Sequence, residues 1–366
     1  MNRYYQLATY FRHRFGCRVQ KIPLDAGFSC PNRDGTLSFG GCVFCNPLGS
    51  GSGMGKNSTA LSEQWAIWRS RYQHTRDAGI FIAYLQSFSN TYGPVEKLTE
   101  TLNTIERLPG VSGLSVGTRP DCVDQEKLDR IADFAQRLAP SSPAGQSEVW
   151  VEFGLQSARD ETLLRINRGH DFASFARATH MAAERGIKVC AHIIAGLPGE
   201  TLDDFLYTVD SVNRLPIHGI KFHSMYVLEH TALAAMWRRG EYVPLTESEY
   251  VSAMVHALPR LRSEIIIHRI TGDPTEEELL APRWSTGKRS VMVGIANGLE
   301  MAQTWQGREL SAAQPVDSLP PLWFSPRPSL PGALRPRWDT EYTAVAEALG
   351  YPPHIFTPNH ITEHQP

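Results

Sequence analysis

Three cysteines near the amino terminus have the residue type and the spacing to hold a metal centre. Cys30, Cys42 and Cys45 form a C-x11-C-x2-C pattern in a loop that contains several glycines. The two-residue spacer lets two thiolates turn toward one centre, and the longer arm lets Cys30 approach from the side. Thiolates are the soft ligands that zinc and iron–sulfur clusters select. The pattern therefore predicts a thiolate-bound metal centre.

The number of thiolates separates the alternatives. A structural zinc site closes four positions, so zinc would need a fourth ligand such as Cys17 or His13. A disulfide would leave one of the three cysteines unpaired. Coincidental core cysteines do not suit a loop of proline, asparagine, aspartate and glycine. A four-iron cluster held by three thiolates leaves one iron free for another molecule, and this interpretation is favoured.

The loop sequence FSCPNRDGTLSFGGCVFCN resembles the radical S-adenosylmethionine (radical SAM) enzymes, and within them the bacterial YhcC-type proteins of the Elongator catalytic-subunit-like branch. The resemblance covers roughly residues 1–285 and continues through VGTRPDCV, VEFGLQSARDETLLRINRGHDF, KVCAHIIAGLPGE, GIKFHSMYVL and IIIHRITG. It implies a 4Fe–4S cluster whose open iron binds S-adenosylmethionine. It also implies reductive cleavage of that cofactor to methionine and a 5′-deoxyadenosyl radical, with a reductant such as flavodoxin or ferredoxin.

Apolar runs alternate with helical patterns from residue 19 onward. The predicted strands are residues 19–24, 80–85, 111–116, 149–155, 187–195 and 217–222, and a seventh could form at residues 265–267. Such alternation is typical of a parallel sheet covered by helices. Six repeats are too few for a closed eight-strand barrel, and the resemblance implies an α/β fold with a partial (β/α)6 TIM-type barrel. Thr246 and Glu249 form a capping-box pattern that predicts another helix.

Three segments are expected along the chain. Residues 1–18 have apolar side chains at helical spacing and predict an N-terminal helix that packs on the core. Residues 19–310 are the predicted radical SAM core domain, and residues 311–366 are a proline-rich C-terminal extension. Seven prolines fall between residues 315 and 336, which disfavours regular structure there.

Composition is that of an ordinary globular protein. The 366 residues carry a formal net charge of −2, so any contact with RNA would need a local basic patch. No apolar run approaches the length of a membrane span, and the first eighteen residues lack the apolar core of a signal peptide. Six cysteines, three of them in the ligand pattern, are typical of a reducing compartment. We expect a cytoplasmic protein without membrane contact.

Polar residues at the predicted carboxyl ends of the strands are further site candidates, because parallel barrels build their active sites there. Arg119, Glu152 and Lys221 are the candidate catalytic residues. A carboxylate predicted inside a barrel needs a partner, and the candidate partners of Glu152 are Arg119, Lys188 or Lys221. Arg119 also has a possible ion-pair partner in its neighbour Asp121.

The cofactor candidates come from their positions in the motifs and from the resemblance. Phe44, between two of the cysteines, resembles the aromatic position near the adenine. Gln86 and Ser87 stand where the superfamily binds the methionine amino group, and the family places the adenine near the turn that contains Gly196 and Gly199. The full candidate set is Phe44, Gln86, Ser87, Gln156, Ser157, His192, Gly196 and Gly199.

The substrate is left open between several classes. The Elongator-like branch suggests a tRNA base, with wobble uridine as the natural candidate. Basic residues also favour RNA, namely Arg165, Arg168 and His170 in a loop and Arg12, Arg14 and Arg18 near the amino terminus. The near-neutral charge favours a peptide or a small metabolite instead. A non-catalytic metal-binding adaptor is the remaining alternative.

Overall fold

A parallel β-sheet of seven strands forms the frame of the protein. The computed structural model describes residues 3–46, 59–76, 78–274 and 276–310, with the backbone alone for residues 74–76. The sheet strands are β1 Val19–Leu24, β2 Ile80–Leu85, β3 Val111–Thr118, β4 Glu148–Gln156, β5 Lys188–Ala195, β6 Gly219–Ser224 and β8 Ile266–Arg269; β7 Val227–Leu228 and β9 Leu279–Ala281 form a separate antiparallel pair. The order is β1-β2-β3-β4-β5-β6-β8, with parallel neighbours throughout.

Helices cover the outer face of the sheet. Those in the described segments are α1 Leu7–Phe15, α2 Leu61–Arg76, α3 Val95–Glu106, α4 Gln125–Ser141, α5 Asp160–Arg165, α6 Phe172–Ala183, α7 Leu202–Asn213, α8 Ala232–Arg238, α9 Glu247–Ala257 and α10 Lys288–Met301. In α3 the buried residues include Leu98, Leu102 and Ile105, which lie on one helical face. Among the described residues, no helix combines the length and the apolar character needed to cross a membrane.

The predicted partial barrel is confirmed. β1 and β2 have the predicted limits, and the run at residues 265–267 contributes to β8, the seventh strand of the sheet. Every residue of β3 is buried, as expected for a strand with helices on one side and the barrel interior on the other. The capping box before α9 is also present, since Thr246 and Glu249 exchange their side-chain and backbone hydrogen bonds. The predicted proline-rich extension lies outside the described residues.

The amino-terminal segment spans the gap between the two edge strands, β1 and β8. The Tyr5 carbonyl accepts a hydrogen bond from the backbone N–H of Ile267 in β8 (2.7 Å), and α1 then leads to β1. The Tyr5 N–H donates to the side-chain oxygen of Gln306 (2.9 Å), whose amide nitrogen donates to the carbonyl of Ile265 (2.8 Å). Segments near both ends of the described chain therefore hold the amino-terminal side of the barrel together.

Candidate cluster and cofactor site

The carboxyl ends of the strands open into one cavity of about 750 Å³. All three cysteines of the pattern face it, and none of them forms a disulfide. The predicted site residues that line this cavity are Cys30, Cys42, Cys45, Phe44, Gln86, Arg119, Glu152, Gln156, His192 and Lys221. The structure thus brings most of the predicted site residues to one place.

The cysteine loop is fixed by hydrogen bonds to the loop that follows α5. Asn32 donates to the carbonyl groups of Asn167 (2.6 Å) and Arg168 (3.0 Å), while Asn167 donates to the carbonyl of Gly41 (2.9 Å). Gly40 and Gly41 both have φ of 83°, a left-handed conformation that glycine adopts without steric penalty. These turns bring Cys42 and Cys45 back toward the cavity.

Two buried side chains donate to the sulfur of Cys42. Arg168 Nη1 lies 3.4 Å from Cys42 Sγ, and Asn32 Nδ2 lies 3.7 Å from it. The Arg168 guanidinium is held in place by the carbonyl of Gly154, and a Cβ at Gly154 would stand 2.6 Å from that guanidinium. Arg168 is one of the three loop residues that favour RNA in the sequence. Its side chain is instead buried against the cysteine loop, so it does not support contact with RNA.

The electrostatics of the cysteine loop favour thiolate at Cys42. The hydrogen bond from Cys45 lowers the pKa of Cys42, and the positive charges of Arg168 and Arg119 lower it further, against the effect of burial. The same hydrogen bond raises the pKa of Cys45, since its proton is shared with Cys42. Iron–sulfur ligands bind as thiolates, so the cationic surroundings suit this role.

The residues present fit a cluster with three thiolate ligands. In the described part of the chain, no three His, Cys, Asp or Glu side chains surround a point that could hold a single metal ion. In a 4Fe–4S cluster each thiolate binds a different iron, so the sulfurs do not converge on one ion. The proposed zinc ligand Cys17 precedes β1, whereas Cys30 follows it. Because this six-residue strand spans about 20 Å, Cys17 lies at the opposite end of the barrel.

Arg119 has an internal partner. Its guanidinium makes two hydrogen bonds to Asp121, of 2.9 and 2.8 Å, and a third to the carbonyl of Arg168 (2.7 Å). The predicted alternative of an ion pair with Asp121 is therefore confirmed. Of the three alternatives for the partner of Glu152, Arg119 is not the one, and neither is Lys188, which binds Glu148 (2.8 Å).

Glu152 is the centre of a buried ionic cluster inside the barrel. Its side chain is fully buried. Lys21 Nζ donates to Oε1 at 2.8 Å, His192 Nε2 lies 3.0 Å from Oε2, and Lys221 also donates to Oε2. Lys221 donates in addition to the Tyr84 hydroxyl (3.0 Å). The predicted partner Lys221 is confirmed, and Lys21 is a second partner that the sequence did not reveal.

The ionic cluster carries excess positive charge. Burial would raise the pKa of Glu152, but Lys21 and Lys221 outweigh this effect and hold it well below its usual value. Desolvation lowers the pKa of His192 to about 4 and that of His268 well below its usual value. Both imidazoles are therefore neutral near pH 7. Lys21 and Lys221 thus face one carboxylate, while burial lowers the pKa of Lys21 and the charge of Glu152 opposes that fall.

Strand β4 is irregular where it reaches the cavity. The pairing of β4 with β5 shifts register between Gly154 and Gln156, and Gln156 has φ of 83°, which is rare for a residue with a side chain. Bulges of this kind re-aim a side chain next to functional sites. Here the irregularity places Gln156 on the cavity wall.

Four predicted cofactor residues are not among the residues that line the cavity. Ser87 is buried, and Ser157 donates to Glu200. A Cβ at Gly196 would stand 2.9 Å from the Leu245 side chain, and one at Gly199 would meet the Arg165 guanidinium. Other parts of this chain therefore occupy the space beside the two glycines.

Several cavity residues were missed in the sequence. Tyr84, Tyr226 and Arg269 all line the cavity. Polar residues within otherwise apolar strands were the available signal, as with Tyr84 in IFIAYL and Arg269 in IIHR.

Comparison with known proteins identifies the family. The model described as Radical SAM superfamily matches residues 39–212, and the Radical_SAM C-terminal domain matches residues 217–301. The uncharacterized protein YtqA of Bacillus subtilis (strain 168) is 38% identical over 306 residues, which is 84% of this chain and 92% of that protein. The chain belongs to the radical SAM superfamily. As a radical SAM protein it is an enzyme, and its cofactors are a 4Fe–4S cluster and S-adenosylmethionine.

Further relatives agree with the predicted branch. Protein YhcC of Escherichia coli (strain K12) is 36% identical over 282 residues, covering 77% of this chain and 87% of that protein. A tRNA uridine(34) acetyltransferase of Methanocaldococcus infernus is 26% identical over 164 residues, covering 44% of this chain and 28% of that protein. The solved structure of Methanocaldococcus infernus Elp3 with an N-terminal deletion has the same radical SAM fold, with TM-score 0.60, 16% identity, and coverage of 79% and 64% of the two chains.

Proposed function

We propose that Cys30, Cys42 and Cys45 bind the 4Fe–4S cluster and that S-adenosylmethionine lies in the cavity between them and the strand ends. The observation that carries the proposal is that all three free thiols face the cavity into which the polar ends of the strands open. When bound, the cluster supplies the electron that breaks the sulfonium C–S bond of S-adenosylmethionine. One protein reductant, such as flavodoxin or ferredoxin, must deliver that electron.

The chain's own residues position the cofactor and exclude water. Phe44 stands between two ligands and offers an aromatic surface to the cavity. Gln86 and Gln156 present amide side chains, which both donate and accept hydrogen bonds and so suit the methionine and nucleoside groups. His192 is neutral, forms a hydrogen bond with Glu152 and lines the cavity on the side of the barrel interior.

Arg168 is expected to raise the reduction potential of the cluster, because a buried positive charge beside Cys42 stabilises the more negative, reduced state. Arg168→Met should lower the midpoint potential by tens of millivolts, measured by a redox titration followed by electron paramagnetic resonance. Arg168→Lys keeps the charge and should remain near the wild-type value. Arg33→Met is the matched control, since Arg33 lines the same cavity but donates to the carbonyl of Asn46 (2.7 Å). An unchanged potential in a fully loaded Arg168→Met protein would contradict this role.

We propose a tRNA base as the substrate, with wobble uridine as the first candidate. The relative of Methanocaldococcus infernus that is named as a tRNA uridine(34) acetyltransferase supports this choice. Of the loop residues that favour RNA, Arg168 is buried and gives no support. Arg165 is exposed and donates one hydrogen bond to the carbonyl of Pro198 (3.0 Å).

Addition of unmodified tRNA tests this proposal. With dithionite and S-adenosylmethionine, the reconstituted protein should form 5′-deoxyadenosine slowly without substrate, and several-fold faster with tRNA from a strain that lacks the gene. Chromatography of 5′-deoxyadenosine and mass spectrometry of the digested nucleosides provide the two measurements. A loaded, reducible protein that never cleaves S-adenosylmethionine would contradict the cofactor assignment. Cleavage that tRNA neither accelerates nor couples to a changed nucleoside would remove the tRNA proposal alone.

A small metabolite is the second candidate substrate. Asp273, Glu277 and Glu278 also line the cavity, and the first two are exposed, so their carboxylates would repel the phosphates of a polynucleotide that approaches from solvent. If this candidate is correct, a nuclease-treated extract of small molecules should accelerate 5′-deoxyadenosine formation where tRNA does not.

A further inference from the structure

One wall of the cavity, formed by β6, β8 and the residues that follow β6, contains polar side chains without partners in the protein. Arg269 ends β8 and lines the cavity, and its guanidinium makes no hydrogen bond or ion pair with another described residue. Ser224 ends β6 and is 3% exposed, and its hydroxyl has no hydrogen-bond partner within the described segments. Buried polar groups without partners are uncommon, because their desolvation is not compensated. This wall is therefore suited to a polar ligand.

Tyr226 belongs to the same wall. A Cβ at Gly272 would stand 2.8 Å from the Tyr226 ring and 3.2 Å from Ser224 Oγ, so both side chains lie beside the same short segment. Burial raises the pKa of Tyr226, and the nearby charge of Arg269 opposes that rise. The phenol therefore keeps its proton near pH 7 and can donate a hydrogen bond into the cavity.

The charge on this wall is positive. Lys221 and Arg269 are paired in register on neighbouring strands. Glu152 is the carboxylate that faces Lys221, and Lys21 shares it. Arg269 therefore adds a further positive charge to an ionic cluster that already has an excess of one. Asp273 is close enough to raise the pKa of Tyr226, but its side chain is more than half exposed and pairs with Lys288 (3.7 Å).

We infer that Arg269, Ser224 and Tyr226, with Lys221 behind them, form a subsite for an anionic group of the substrate, either a carboxylate or a phosphate. The guanidinium fork of arginine matches both groups and binds them through two parallel hydrogen bonds. The two hydroxyls can donate further bonds, and the anion would balance the excess positive charge. The inference rests on the proposed function, because it assigns this wall to the substrate and the cysteine loop to the cofactors.

Calorimetric titration of the full-length, cluster-loaded protein with inorganic phosphate and with acetate tests this subsite. At least one anion should bind, and Arg269→Met should weaken its binding by about tenfold or more, as expected for loss of a charged hydrogen-bond pair. Arg269→Lys should retain part of the affinity, and Ser224→Ala should cause a smaller loss. A preference for phosphate would indicate a nucleotide phosphate of the substrate, and a preference for acetate would indicate a carboxylate.

Two controls separate this subsite from the cofactor site. Arg33→Met, on the cysteine loop, should bind the anion as the wild type does, and Arg269→Met should bind S-adenosylmethionine with unchanged affinity. The inference is overturned if the wild type binds neither anion, or if Arg269→Met and Ser224→Ala both bind as the wild type does. It is equally overturned if Arg33→Met abolishes anion binding, or if Arg269→Met loses S-adenosylmethionine to the same degree. Because no reductant is needed, these outcomes do not depend on radical chemistry.

Discussion

Alanine in place of Cys30, Cys42 or Cys45 is expected to abolish stable assembly of the 4Fe–4S cluster. Two remaining thiolates would leave half of the cluster without protein ligands. Cys42→Ala should have the additional effect of leaving Arg168 and Asn32 without the sulfur to which they now donate. After anaerobic reconstitution, iron content should fall from about four atoms per chain to near zero, with loss of the absorption near 400 nm and of 5′-deoxyadenosine formation.

The other three cysteines provide matched controls. Cys190 is fully buried, Cys122 is also buried, and Cys17 precedes β1 at the opposite end of the barrel. Alanine at each of these positions should leave the iron content unchanged. Loss of metal from Cys17→Ala as complete as that from Cys42→Ala would refute the assignment of the three ligands.

Replacement of Glu152 by glutamine is expected to destabilise the protein by about 3–5 kcal/mol, the range found when one partner of a buried ion pair is removed. Lys21 and Lys221 would then share a neutral amide in place of a carboxylate. Urea unfolding of the cluster-free protein measures the change in the free energy of unfolding. Adding Lys21→Met should restore part of the loss, because it removes one of the two unpaired charges. If Glu152→Gln and the wild type have equal free energies of unfolding, the ionic cluster around Glu152 does not stabilise the fold.

The same ionic cluster predicts how stability depends on pH. The folded pKa of Glu152 is depressed, so its stabilisation is present above the unfolded value near 4.5 and is lost as pH falls. His192 acts in the same direction, since its pKa falls from 6.5 to about 4 on folding. Wild-type stability should therefore decline between pH 6.5 and 4, and Glu152→Gln should show a weaker decline below about pH 4.5.

The frame of the fold could be predicted from the sequence because its signals are local. The apolar runs of β1 and β2 have the limits seen in the structure, and the capping box of Thr246 and Glu249 requires only neighbouring residues. The cysteine pattern is equally local, since its spacing alone brings Cys42 and Cys45 into one turn.

The interior of the barrel could not be predicted in the same way. Glu152 clearly needed a partner, but nothing in the sequence distinguishes Lys21 from Lys188 as that partner. The choice depends on how far the edge strands curl, which brings Lys21 of β1 within 3.5 Å of His268 in β8. Arg168 was misplaced for a related reason, because a polar loop residue gives no sign that a glycine 14 positions earlier leaves room for its guanidinium.

The hydrogen bond between Tyr5 and Gln306, which helps to close the barrel, can form only late in synthesis. Their hydrogen bond joins residues 301 positions apart in the chain. The ribosome makes the amino-terminal part first, so Tyr5 and the cysteine loop emerge long before β8 exists. Contacts this distant in the chain form slowly, because a long loop must close before they stabilise the fold. A 4Fe–4S cluster inserted before β8 is made would therefore sit in a barrel that is still open on the side that β8 later closes.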